Sequence, residues 1–166
     1  TKRLGVVQDL NRLSWNTHIS HLRKINLPLD ASAKVVGPRL LNSSQWGFID
    51  PIDTPDGGNV GLHKHMAITA QISSGCSSKD IIRWLPDKIN LQLLQTCTSE
   101  YLENTTKVFV NGNWIGCHRN PDYLDTIFRL YRRNGLINIF TSISWERSNN
   151  EIIIFSDGGR FVRPLY

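Results

Sequence analysis

The feature that most constrains this chain is the stretch from Gln45 to Leu62, in which Gly47, Gly57, Gly58 and Gly61 are interleaved with Pro51 and Pro55 and with Asp50, Asp53 and Asp56. Glycine admits backbone angles that other residues avoid, while proline fixes φ and removes an N–H donor. A segment built from both cannot run as a helix or a regular strand. It is a loop of specified shape, and such loops on a scaffold carry function more often than the elements they join. The aspartates recur every third residue, which raises the question of a metal site. The prolines deny them a common helical face, so the spacing gathers no ligand set, and the sequence assigns no metal and no cofactor to this chain. Asp53, Thr54, Pro55, Asp56 and Gly57 are read instead as loop-structuring residues, the carboxylates accepting backbone N–H bonds.

Around this loop the pattern predicts an α+β fold. Leu10, Leu13, Ile19, Leu22 and Ile25 recur at near-helical spacings and predict a helix over 6–26, stopped before Pro28. Residues 29–37 are a loop, and 60–72 read as strands. Ser78 is placed to cap a short helix through Leu85, ended by Pro86, and 86–106 show no clear period. Asn111-Gly112 between the apolar runs of 107–117 predicts a tight hairpin with a type I′ turn. Asn120 then caps a helix with Pro121 at its first position, Leu124, Ile127, Phe128 and Tyr131 as its buried stripe, Arg132 and Arg133 in its last turn, and Gly135 beyond it. Residues 136–145 and 151–155 predict strands. The expected organisation is a helix-and-loop domain over 1–75, a connecting segment over 76–106, a small α+β domain over 107–150, and the start of a further segment over 151–166.

Charge is unevenly distributed. Lys2, Arg3, Arg12, Arg23, Lys24, Lys34 and Arg39 stand against Asp9 and Asp30 in the first 40 residues, whereas the remainder is balanced at 12 basic and 12 acidic groups. The whole excess of +5 therefore lies in the N-terminal quarter. A basic face of this kind attracts a polyanion, or else is a solvated helix face. Arg12, Arg23, Lys24, Lys34 and Arg39 are the candidate nucleic-acid-binding residues, with bracing of the loops as the alternative role for one or two of them. No apolar run is long enough to span a membrane as a helix. Cys76, Cys97 and Cys117 form no Cys-x-x-Cys pair, which argues against structural zinc or a disulfide framework and for a reducing interior compartment. His18 with His21, and His63 with His65, lack a third ligand nearby and are read as surface or hydrogen-bonded histidines. Gly57 to Gly61 followed by Lys64 lacks the ending and setting of a phosphate-binding P-loop.

Several segments together resemble one family. Trp46-Gly47 through Thr54-Pro55-Asp56-Gly57 and Gly61-Leu62 is similar to a signature of the second-largest subunit of multisubunit DNA-directed RNA polymerases. Leu10-Asn11-Arg12, Ser20-His21-Leu22-Arg23-Lys24, Gly37-Pro38-Arg39, Val110-Asn111-Gly112 through Trp114 to Gly116, and Asp157-Gly158-Gly159-Arg160 through Arg163-Pro164-Leu165 resemble further family motifs in the same order. Leu22 and Trp46 follow the eukaryotic, archaeal and large-DNA-virus type. Asp50, Asp53 and Asp56, and the 30–33 stretch, depart from the usual pattern and imply a divergent lineage.

The resemblance implies a fork domain followed by a first external domain, with the loop of Asp53 to Gly57 near the active centre. It implies a piece of a nucleotidyltransferase that positions template DNA, RNA–DNA hybrid and downstream DNA, the isolated chain itself not being catalytic. The family's hybrid-binding, wall and clamp portions would lie beyond residue 166. The implied partners are the largest and other polymerase subunits, DNA template and hybrid, without membrane. The Mg²⁺ of the complete enzyme would be held mainly by the largest subunit. The implied location is intracellular, in the nucleus, or in cytoplasm or virion for a viral protein. The competing reading is a non-enzymatic, basic nucleic-acid-binding or assembly module with a polymerase-derived fold.

Overall fold

In the computed structural model, residues 6–164 are described. Lys2 and Arg3 of the basic quarter, and Leu165 of the last motif, lie outside the described residues. The chain forms two compact units: one holds the chain up to Gln71 together with the segment from Phe161 onward, and the other is Ile72–Arg160.

The first unit is short of regular structure. Its helix α1 covers Trp15–Leu22, not the whole of 6–26. Ser14 sets the start: its backbone is extended, its Oγ accepts from Thr17 N at 3.2 Å, and Thr17 Oγ1 accepts from Ser14 N at 3.0 Å, a reciprocal capping box. The downstream end is lost to the strand β1 (Lys24–Asn26), which pairs antiparallel with β2 (His63–His65). A tertiary ladder thus overrides the apolar spacing that predicted helix. No residue of α1 is buried. Leu62 and Ala70 are the buried hydrophobic residues among those described in this unit, while Leu13, Trp15, Ile52 and Ile68 are each more than 70% exposed. Shape here comes from polar bonds and four 3₁₀ turns, Ala31–Ala33, Gly37–Arg39, Ser43–Gln45 and Gly57–Asn59, rather than from a core.

After β3 (Gln71–Ile72) the second unit is conventionally packed. It contains α2 (Ser78–Ile89), β4 (Gln92–Leu93), α3 (Ser99–Glu103), β5 (Thr106–Val110), β6 (Asn113–His118), α4 (Pro121–Arg133), β7 (Ser142–Glu146) and β8 (Glu151–Phe155). The sheet order is β4-β6-β5-β8-β7, with β5 and β8 parallel and the other pairs antiparallel. The β5–β6 hairpin turns at Asn111 and Gly112, both at positive φ (48° and 82°), as a type I′ turn requires. Val108, Val110, Ile143, Ile152 and Ile154 alternate onto one sheet face, where Ile81, Leu85 and Ile89 of α2 and Leu124 and Phe128 of α4 cover them.

Two boundaries differ from expectation. Ser77, not Ser78, caps α2, and the helix runs through Pro86 to Ile89, because Leu85 and Ile89 one turn apart both bury fully against the sheet. β7 begins only at Ser142, since residues 138–141 form a turn closed by Thr141 N to Asn138 O at 2.9 Å. The segments 76–106 and 151–155 flank the predicted 107–150 domain in sequence and supply β4 and β8 to its sheet. The chain leaves this unit into β9 (Phe161–Val162).

Candidate functional site

The glycine- and proline-rich loop of the first unit is held from several sides by named groups. Asp50 N donates to His65 O at 2.9 Å, and Ala67 N to Phe48 O at 3.0 Å, so the loop leaves and returns beside β2. Asp50 Oδ1 accepts from Ile52 N at 2.9 Å and Asp53 N at 3.3 Å, an Asx turn that orients the Pro51 corner. Thr54 Oγ1 donates to His63 O and accepts from Gly61 N, both at 2.9 Å, and so ties the middle of the loop to its C-terminal end. Asp53 faces His65, with Oδ2 3.3 Å and its carbonyl oxygen 3.1 Å from Nδ1. Asp56 precedes the Gly57–Asn59 turn and makes no side-chain cap bond there. The three aspartates do not converge, and no group of three or more His, Cys, Asp or Glu among the described residues could hold a metal ion.

Two arginines of the basic quarter are turned onto backbone. Arg23 Nη2 donates to Ala67 O at 2.6 Å and Ala70 O at 3.0 Å. Arg39 donates from Nη1 to Gly58 O and Val60 O, both at 2.7 Å, from Nη2 to Ala31 O at 3.2 Å, and from Nε to Val35 O at 3.2 Å. Its guanidinium thus joins the 31–39 segment to the 57–61 segment. At Gly61 (φ +73°) an added Cβ would lie 2.6 Å from Arg39 Cα, so these segments approach as closely as a glycine allows. Arg12, Lys24 and Lys34 are exposed, and Lys34 sits at φ 47° after the Ala31–Ala33 turn. The fold thus divides the basic residues into two groups: arginines bonded to backbone carbonyls and cations that face water. Trp15 and Trp46 are 74% and 57% exposed, and Trp15 stacks on His18.

The decisive observation is that most of the chain matches two successive domains of one family. Residues 8–72 match the family model described as RNA polymerase Rpb2, domain 3, and residues 108–166 match RNA polymerase Rpb2, domain 4. The chain belongs to the family of second-largest subunits of DNA-directed RNA polymerases. It is 38% identical over 99% of its length to DNA-directed RNA polymerase II subunit RPB2 of Schizosaccharomyces pombe and 36% identical to DNA-directed RNA polymerase II subunit 2 of Arabidopsis thaliana. It is also 34% identical over 99% of its length to DNA-directed RNA polymerase III subunit RPC2 of Saccharomyces cerevisiae. The chain spans about 14% of the length of these curated relatives.

Within this polymerase family frame, several residues acquire a place that sequence reading did not give them. Arg163 Nη1 donates to Trp46 O at 3.1 Å, and its guanidinium lies 5.2 Å from the Phe48 ring centroid, so the last motif holds the signature loop. Arg160, in the second unit, donates to Ser142 Oγ, Phe140 O and Asp157 O. Asp50, not among the expected loop-structuring residues, accepts backbone N–H bonds from Ile52 and Asp53. His63 Nδ1 lies 2.7 Å from Asn26 Oδ1, and its pKa is lowered by burial, then by Lys24, then by His65. Arg132 donates to Thr141 O at 2.9 Å, its pKa lowered chiefly by burial, whereas Arg133 is exposed. No linear pattern signals the Arg163–Trp46 and His63–Asn26 pairs, whose partners lie far apart in sequence, whereas Asp50 bonds N–H groups only a few residues on.

Proposed function

We propose that the chain serves as part of the second-largest subunit of a DNA-directed RNA polymerase, where its first unit helps to position template DNA, RNA–DNA hybrid and downstream DNA during RNA synthesis. The observation that carries the reading is the agreement with polymerase subunits along nearly the whole chain, joined to a net charge concentrated in its first 40 residues. In this reading Arg12, Lys24 and Lys34 meet phosphates directly. Arg23 and Arg39 act through the backbone they hold, and Asp53 to Gly57 keep the signature loop in shape near the active centre. Residues 1–75 act as the fork and 107–150 as the first external domain, with 76–106 linking them and 151–166 opening a further segment.

The scarcity of buried hydrophobic residues in the first unit, with Leu13, Trp15, Ile52 and Ile68 exposed, supports assembly with the largest and other polymerase subunits. The Mg²⁺ of the complete enzyme belongs, in this reading, mainly to the largest subunit, and the working compartment is the nucleus. A photoreactive template in a polymerase carrying this chain tests the assignment. Crosslinks are expected on residues 12–39; crosslinks concentrated on Arg132 or Arg133 would overturn the division of roles.

A further inference from the structure

We propose that Lys24, Asn26, His63 and His65, on one face of the β1–β2 ladder, form a docking site for a phosphodiester of a single nucleic-acid strand. The proposal rests on the positioning role above and assigns it to particular atoms. Lys24 lies opposite His65, and Asn26 opposite His63. Residues directly opposite in an antiparallel pair share a face, so these four side chains stand together while Ile25 and Lys64 occupy the other face.

Both imidazoles are held through Nδ1. His63 Nδ1 donates to Asn26 Oδ1 at 2.7 Å, and His65 Nδ1 faces the Asp53 carbonyl oxygen at 3.1 Å and Oδ2 at 3.3 Å. Acceptors at both Nδ1 positions fix the proton there and leave Nε2 of each ring without a partner among the described residues. The charged groups acting on His63 are Lys24 from β1 and His65 from its own strand, while Asp53 of the loop is engaged with His65. Burial first, and then Lys24 and His65, oppose a positive charge on His63. A bound phosphate reverses that balance: it is attracted by Lys24 and accepts from a protonated Nε2, so binding draws a proton onto His63. A face that merely sits in solvent has no reason to couple a proton to an oligonucleotide.

The 166-residue chain, its fold checked by circular dichroism and amide NMR, is titrated against a labelled oligoribonucleotide and a DNA strand of the same sequence from about pH 8 to about pH 5.5. Affinity is expected to rise several-fold as pH falls, within the limit of about tenfold per pH unit for one proton. His63→Phe should weaken binding at low pH and flatten the profile. Lys24→Gln should reduce the log–log salt slope by about 0.7, the value for one phosphate contact on a single strand. In the NMR arm, the His63 ring should titrate at higher pH in the complex than in the free chain. Tighter binding of RNA identifies the transcript strand as the source of the phosphate, and tighter binding of DNA identifies the template. Binding that Arg12→Gln and Lys34→Gln weaken but His63→Phe and Lys24→Gln leave intact would overturn this site and leave the broader role standing. No binding to either strand by the folded chain would overturn both.

Discussion

The Arg163 guanidinium donates to the Trp46 carbonyl at 3.1 Å across a sequence separation of 117 residues. Gly47, the next residue, stands at φ +79°, and a Cβ there would meet Arg163 Cδ and Nη1 at 2.8 Å. Arg163→Ala should therefore raise hydrogen-exchange rates in the 46–50 segment while lowering global stability by only about 1 kcal/mol, the usual net value of one hydrogen bond. Lysine should restore little of this, because it has no planar fork to lie over Phe48. Gly47→Ala should cost more, since left-handed strain of about 1–2 kcal/mol adds to displacement of the Arg163 side chain.

Gly57 and Gly61 separate strain from crowding. Both lie at positive φ, but a Cβ at Gly57 meets nothing within 4 Å, whereas one at Gly61 meets Arg39 backbone at 2.6 and 2.7 Å. Gly57→Ala should lower stability by about 1–2 kcal/mol. Gly61→Ala should exceed that, because the colliding atoms are backbone and cannot rotate away. Urea unfolding of the two variants checks the order, and equal losses would show that the 39–61 contact yields freely.

Thr54→Val keeps the shape of the side chain and removes both loop-closing bonds. The half-buried Gly61 N–H and His63 carbonyl lose their Thr54 partner, so a loss of about 1–3 kcal/mol is expected, whereas Thr54→Ser should retain most of the stability. A small loss in Thr54→Val would show that the two bonds do not hold the loop, and similar losses in the two variants would mean that the methyl contributes as much as the bonds do.

His63 gives the first unit a pH dependence of known sign. Its folded pKa lies below the ordinary 6.5, so in the window between the two values the unfolded chain binds more protons. The stabilising contribution is complete above pH 6.5 and is lost as pH falls through the folded value. The difference in urea midpoint between the parent chain and His63→Asn should accordingly change across that window and be constant above it.

Pro86 tests the helix that continues beyond its expected stop. Within Ser78–Ile89 the proline removes one N–H donor from the helix interior. Pro86→Ala should raise the melting temperature, since alanine is the better helix former by as much as about 3 kcal/mol. An unchanged or lower value would mean that the pyrrolidine ring contributes an equal amount by packing.

Much of the second unit could be read from local chemistry. Asn111-Gly112 demanded its turn, Asn120 and Pro121 started α4, and Leu124 and Phe128 marked its buried side, because each is a short-range requirement of backbone or period. The first unit was legible as motifs but not as structure. The apolar spacing of 6–26 predicted a long helix, yet Ser14 and the β1–β2 ladder cut it to eight residues. That ladder joins segments almost forty positions apart, and no local pattern encodes such a pairing.

The candidate site divides in the same way. From the residues alone follow the shaped loop, the basic first quarter and the family whose motifs they match, since glycine, proline and charge act wherever they stand. Which cations remain free was decided only by tertiary structure. Arg23 and Arg39 lie among the same basic residues as Lys24 and Lys34, but carbonyls at 58, 60, 67 and 70 lie within reach of the two guanidinium groups. A fork of donors beside bare backbone oxygens binds them in preference to solvent, and where those oxygens lie is a property of the folded chain.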